Sequence, residues 1–366
     1  MKFKVAREML LTPMQAVNNV VERRQTLPIL NNVLITAEND ELACLATDME
    51  VELQTRVAME IAQSGATALP ARKLLDICKA LPADAEISIN VEGDRAKVSS
   101  GRSRFTLVTQ PAAEFPMVGP FDALIDIELP AATLRSLIDR TQFAMAHQDV
   151  RYYLNGLLLE FSGHTLSSVA TDGHRLALAE QEVEADLGEA RQVIVPRKGV
   201  TEMLRLLTDD EMKVRLVVGA NHIALTAGER VLTSKLIDGK FPDYERVLPR
   251  NASNIVAADR QMLRDGLARA SILSNEKFRG VRLSLDKNIM RALAHNPEQE
   301  EAEEEIEVEY EGAALEVGFN VSYLLDVLNA LSAERVVMEL SDANSSCLLH
   351  APDQPGARYV VMPMRL

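Results

Sequence analysis

The chain has 366 residues, 47% of them hydrophobic and 25% charged, proportions that exclude a disordered, collagen-like or low-complexity protein. At about 150 residues per domain, that length corresponds to two or three domains. With 54 acidic against 39 basic side chains the formal charge is −15, which argues against gripping nucleic acid by bulk electrostatics, since phosphate affinity comes from Lys and Arg.

The first predicted element is a helix over 6–20, where apolar residues return every three or four positions. A second amphipathic helix is read in Leu69-Pro70-Ala71-Arg72-Lys73-Leu74-Leu75 and onward to Leu81. Alternating runs at 86–91 and 105–109 read as half-buried antiparallel strands. The pattern then restarts. A helix is predicted over 131–142, a strand over 156–161, a helix over 195–207 and strands over 213–218 and 222–226. A third round follows with helices over 258–271 and 317–331 and a strand over 336–340.

These rounds are copies. Val195-Pro196-Arg197-Lys198 repeats Leu69-Pro70-Ala71-Arg72-Lys73 at a spacing of 126, and the third copy, from Val317, keeps the apolar spacing without the basic pair. Phe115-Pro116 and Phe241-Pro242 are also 126 apart, while Thr47-Asp48 and Thr171-Asp172, like Asn31 and Asn155, are 124 apart. The expected architecture is α+β, with three similar domains of two helices and antiparallel sheets each, covering 1–121, 122–246 and 247–366, with boundaries near Phe121 and Arg246.

Charge divides by element. The six predicted helices sum to +5, so the remainder carries −20. If the helices share a face, that face is basic and the sheet face acidic; alternatively, helices host Arg and Lys simply as good helix formers. The run Glu298 to Glu311 holds nine acidic residues in fourteen, a pattern of solvated faces and flexible loops that can also meet a basic patch.

Three dispersed cysteines, Cys44, Cys78 and Cys347, suit a reducing compartment and read as buried thiols. Met1-Lys2-Phe3-Lys4 soon meets Arg7 and Glu8, without an apolar signal run, and no segment approaches the ~18 apolar residues of a membrane span. A cytoplasmic protein with no membrane partner is expected.

Phosphate-binding glycine loops, dinucleotide turns, zinc-protease helices and nucleophile elbows are absent from the sequence. The six histidines have no metal-ligand spacing, so neither a metal nor a cofactor is expected. The best enzyme candidate is Thr171-Asp172-Gly173-His174-Arg175, where Asp172 and His174 could serve as acid and base. Its counterpart Thr47-Asp48-Met49-Glu50 lacks the His, so the repeated feature is a turn. Gln148-Asp149-Val150-Arg151-Tyr152-Tyr153 groups side chains able to bond phosphate and stack on a base, and also fits core or strand-edge tyrosines.

Thr26-Leu27-Pro28-Ile29-Leu30, the segment from Ala146 to Gly156, Thr171 to Leu176, Ser274 to Gly280 and the terminal Tyr359 to Leu366, set within the threefold repeat, resemble the bacterial sliding-clamp family, the β subunits of DNA polymerase III. The similarity runs end to end. It implies the DNA-clamp fold: a head-to-tail homodimer forming a closed six-domain ring around duplex DNA. The implied partners are the DNA polymerase III catalytic subunit, the clamp loader, and other polymerases and repair proteins bearing short hydrophobic motifs.

By the same resemblance, sequence-independent DNA contacts fall on Arg24, Arg72, Gln148, Tyr152 and Tyr153, with Arg23 able to replace Arg24. The partner-peptide pocket falls on Leu154, Thr171, Gly173, His174, Arg175 and Leu176, together with Pro242, Val247, Val360, Met362, Pro363 and Met364. The dimer interface sets Phe105 and Leu107 against Ile272 and Leu273. Around them, Lys73, Arg95, Arg102 and Arg104 face Glu298, Glu300, Glu301, Glu303 and Glu304.

Overall fold

The computed structural model describes residues 1–22, 27–249 and 252–365. All six predicted helices form: α1 (Arg7–Asn18), α2 (Ala71–Ala80), α3 (Ala131–Thr141), α4 (Arg197–Leu206), α5 (Arg260–Ser271) and α6 (Val321–Ala330). The repeated segments begin earlier than their helices. Leu69-Pro70, Val195-Pro196 and the stretch from Val317 to Asn320 end strands, and each helix starts at the next residue. Pro70 and Pro196 lack the N–H needed inside a helix, while Asn320 accepts the Ser322 N–H at 2.9 Å as an N-cap. The α2 sequence buries Ala71, Leu74, Leu75 and Cys78, one apolar stripe at helical spacing.

The chain folds into two compact units, Met1–Ala132 with Lys198–Leu236, and Thr133–Arg197 with Ile237–Leu366. Each unit straddles two of the sequence repeats because its large sheet runs through a repeat boundary. In the first unit, a nine-stranded antiparallel sheet is joined where Val51–Ala58 pairs with Arg230–Lys235. In the second, an eight-stranded sheet is joined where Arg175–Glu182 pairs with Ala357–Val361.

Smaller sheets complete the layers. The first unit adds a five-stranded sheet ending at the edge strand Ser103–Val108, and α1 packs on α2. The second adds a four-stranded sheet ending at the edge strand Glu301–Glu307, beneath α5, which packs on α6. Phe3, Leu10, Met14 and Leu74 are fully buried in the first unit, and Phe161, Phe319 and Tyr359 in the second. Each such side chain contributes roughly 1.5–3 kcal/mol through burial.

The acidic run is a strand, not a flexible loop. Glu301–Glu307 pairs along Ile289–His295, so its glutamates alternate outward while Ile306 turns in under α5 at Gly266, where a Cβ would meet the isoleucine at 2.6 Å. Arg269 donates two bonds to Glu304, at 2.9 and 2.8 Å, and Arg291 lies 3.2 Å from Glu305. Alternation with a buried Ile, plus internal arginine partners, overcomes the repulsion that would otherwise favour a loop.

Several helical cations are structural. Arg7 donates to the Cys78 carbonyl at 2.8 Å, and Arg260 donates to Ala333 and Leu328 carbonyls at 2.6 and 3.0 Å, closing the C-terminal ends of α2 and α6. Lys198 is held by Asp48 and Glu22. The +5 counted on the helices therefore overstates the charge they offer to solvent.

Candidate functional site

A cavity of about 170 Å³ opens in the second unit at the join of its large sheet. Leu176 and Val360 pair across that join and form the floor, both almost fully buried. They cap a hydrophobic cluster that includes Leu154, Leu158, Val169, Leu178 and Phe241, with Tyr153 and Val247 packed at its border.

The Thr171–Arg175 turn makes one wall. Thr171 Oγ1 donates to the Arg175 carbonyl at 2.6 Å and accepts the Gly173 N–H at 3.1 Å. Asp172 accepts the main-chain N–H groups of His174 and Arg175 at 2.9 and 3.0 Å. Gly173 sits at φ +88°, where L side chains are strained, and a Cβ there would lie 3.0 Å from the Arg151 guanidinium. The same turn recurs at Thr47–Val51, where Thr47 donates to the Val51 carbonyl and Asp48 accepts from Glu50 and Val51. This repetition identifies the Thr-Asp pair as a turn-builder.

Arg175 is locked. Its guanidinium meets Asp172 at 3.1 Å, also bonds Asp326, donates to the Phe143 carbonyl at 2.8 Å and lies between the Phe143 and Tyr323 rings at 5.2 and 4.5 Å. With 11% of its side chain exposed, it shapes the wall and offers no free charge. The acid–base reading fails on the same geometry: both Asp172 oxygens are engaged by the turn and Arg175, and it is the main chain of His174 that meets the carboxylate.

Of the twelve residues expected to line a pocket, the cavity gathers Leu154, Thr171, Gly173, Arg175, Leu176, Pro242, Val247, Val360 and Met362. His174, Pro363 and Met364 lie outside it. His174 projects from the tip of the turn, its carbonyl accepting the Met362 N–H at 2.9 Å, and the chain then leaves toward Gly318, whose carbonyl takes the Met364 N–H. Two lining residues were not anticipated, Arg151 and Tyr244. Tyr244 stands two positions after the repeated Phe241-Pro242 and donates to Glu160 at 3.3 Å; burial, then that carboxylate, pushes its phenol well above the ordinary range.

Arg151 makes a two-bonded contact with Asp149, at 3.0 and 2.9 Å, and these bonds hold the Asp149 carboxyl down at about 2. Asn155 clamps the same loop by exchanging bonds with the Asp149 main chain, each at 2.9 Å. The loop presents Gln148, at φ +55°, and Tyr152 to solvent, with Tyr153 half-buried and edge-on to Tyr152 at 5.8 Å. Gln148, Tyr152 and Tyr153 are thus brought together. Arg72 is exposed on α2 in the other unit, and Arg24, with Arg23, lies outside the described residues.

The expected interface residues fall on two sheet edges. Phe105 and the nearly buried Leu107 lie on the edge strand Ser103–Val108, with Arg95, Arg102 and Arg104 on its hairpin and Lys73 exposed on α2. Ile272, 75% exposed, and Leu273 follow α5, while Glu301, Glu303 and Glu304 lie on the opposite-signed edge strand and Glu298 and Glu300 lead into it. Among the described residues no cluster of three His, Cys, Asp or Glu could hold a metal, and no helix is long and apolar enough to cross a membrane.

Repeated α+β domains joined through continuous antiparallel sheets define a three-domain clamp. Family models for the N-terminal, central and C-terminal domains of the DNA polymerase III beta subunit match residues 1–119, 128–243 and 245–365. The beta sliding clamp of Pseudomonas aeruginosa is 56% identical, with both chains fully covered. Crystal structures of the Pseudomonas aeruginosa clamp superpose with TM-scores of 0.97 at 55% identity and, in a form bound to griselimycin, 0.96 at 56%, each covering all of both chains. The chain belongs to the DNA polymerase III beta subunit family, and its function is that of a DNA sliding clamp.

Proposed function

We propose that two copies of the chain, each with three domains divided near Phe121 and Arg246, associate head to tail in a closed ring around duplex DNA in the cytoplasm and perform no catalysis. Retention on DNA then comes from topology, so the ring needs only weak, sequence-independent phosphate contacts and can slide. The small free charge on the helices agrees with that requirement, and Arg72, Gln148, Tyr152 and Tyr153 supply such contacts. Heterologous ends close a ring when the rotation suits, and the basic hairpin edge and the glutamate edge are complementary in charge.

The cavity floored by Leu176 and Val360 carries the recruiting half of this reading. Its apolar floor, rigid turn wall and flexible Met362 rim suit short hydrophobic peptides of varied sequence from the polymerase III catalytic subunit, the clamp loader, other polymerases and repair proteins. The decisive experiment measures retention after loading on DNA. The protein should remain on closed circular duplex and run off a linear duplex with free ends; equal loss from both overturns the proposal.

A further inference from the structure

A second cavity, of about 380 Å³, opens in the first unit. It is the repeat counterpart of the first. Thr47, Met49, Pro116 and Phe121 line it, and they stand 124 or 126 positions before Thr171, Gly173, Pro242 and Val247 of the other cavity. The main-chain bond beneath it is also repeated: Lys235 N–H donates to the Glu50 carbonyl at 2.8 Å, as Met362 N–H donates to that of His174 at 2.9 Å.

The wall is built, not incidental. Buried Glu52 accepts the Val118 N–H at 2.8 Å and fixes the 116–121 segment. Gly219 leaves room for Phe121, whose Cδ2 would lie 2.5 Å from any Cβ there, and the Phe121 ring stacks on His222 at 5.6 Å. Met49 and Met117 stand exposed at the rim, giving an adaptable apolar border.

One substitution separates the two sites. Lys235 occupies the place of Met362, is exposed, and has no ion pair among the described residues. Burial, then Lys235 itself, lowers the proton affinity of His222, so at neutral pH Lys235 is the cation of an otherwise uncharged lining.

We propose that this cavity is a second peptide site, taking an extended segment whose apolar side chain enters beside Phe121 and Met49 and whose carboxylate pairs with Lys235. The inference uses the first unit alone and stands whether or not the first cavity takes peptides.

The test uses the full chain carrying 13C-methyl methionine, titrated with Ac-Ala-Leu-Phe as the free acid and as the C-terminal amide. The acid should move the Met49 and Met117 methyl resonances, with affinity about tenfold weaker for the amide, the factor that corresponds to about 1.4 kcal/mol. Lys235→Gln should remove the acid's advantage. Unmoved Met49 and Met117 at low-millimolar peptide, or equal responses to acid and amide, overturns the proposal. The Met362 methyl reports the first cavity separately, so failure at one site is distinguished from failure at the other.

Discussion

The Arg175 guanidinium lies 4.5 Å above the ring of Tyr323 and bonds Asp326 one helical turn further along α6, tying the cavity wall to the third sequence repeat. Charge-assisted bonds are worth about 1.5–3 kcal/mol and a desolvated cation–π contact about 2 kcal/mol. Because these terms overlap, Arg175→Ala should cost about 2–4 kcal/mol in urea unfolding. Arg175→Lys should recover only part of that loss, since an ammonium cannot reproduce the planar fork that serves two carboxylates and the Phe143 carbonyl. A variant as stable as the parent would remove the wall from the account of the cavity.

Met362 is 37% exposed and reaches the cavity from the end of its strand. Met362→Ala should change stability by less than about 1 kcal/mol. Affinity for a short Leu- and Phe-bearing peptide should fall about fivefold, equivalent to about 1 kcal/mol, as read by fluorescence anisotropy. Unaltered affinity would show that the peptide does not use this rim.

Asp149 is the carboxylate most strongly affected by a single partner. Arg151 holds its pKa at about 2, against an ordinary 3.8. A depressed carboxyl pKa means the contact operates fully above about pH 4. It is lost as pH falls from there through about 2. A carbon-13 carboxyl titration should place the Asp149 midpoint near the lower value, and Arg151→Gln should return it toward the ordinary one. An unshifted midpoint in the parent would contradict the two-bonded geometry.

The three thiols should be inert in the native protein. Cys44 and Cys78 are pushed up to about 12 and about 11, chiefly by burial, and Cys347 is raised by the same cause. Thiolate is the reactive form. Iodoacetamide at pH 8 should add nothing to the folded chain and three adducts after unfolding, counted by mass spectrometry. Rapid native labelling would mean that the sites open locally.

The charged edges predict the behaviour of the dimer. Arg102→Glu together with Arg104→Glu places acidic side chains on the hairpin edge, and both positions are exposed, so folding should be unaffected. Sedimentation velocity should show a shift toward monomer, strengthened at low salt where like charges repel further. An unchanged dimer would separate these arginines from the interface.

Local information made much of this protein legible. Period-3.6 and period-2 patterns located six helices and the strands because each depends on neighbours within a few residues. Repeat spacing exposed the Thr-Asp turn, whose hydrogen bonds close within four positions. The motif resemblance reached most of the cavity lining, but Arg151 and Tyr244 escaped because nothing local distinguishes a cavity wall from an ordinary loop.

Tertiary structure decided the rest. Pairing of Leu176 with Val360 and of Val51 with Ser234 joins residues remote in sequence, and no local period states which strands will meet. It also decided which charges are free: Lys198 disappears between Asp48 and Glu22, Arg175 between Asp172 and Asp326, while Lys235 remains open at a cavity rim. The sequence by itself determined the repeating elements and the total of −15. Long-range strand pairing determined where cavities open and where charge acts, because electrostatic strength depends on burial and distance, which composition does not contain.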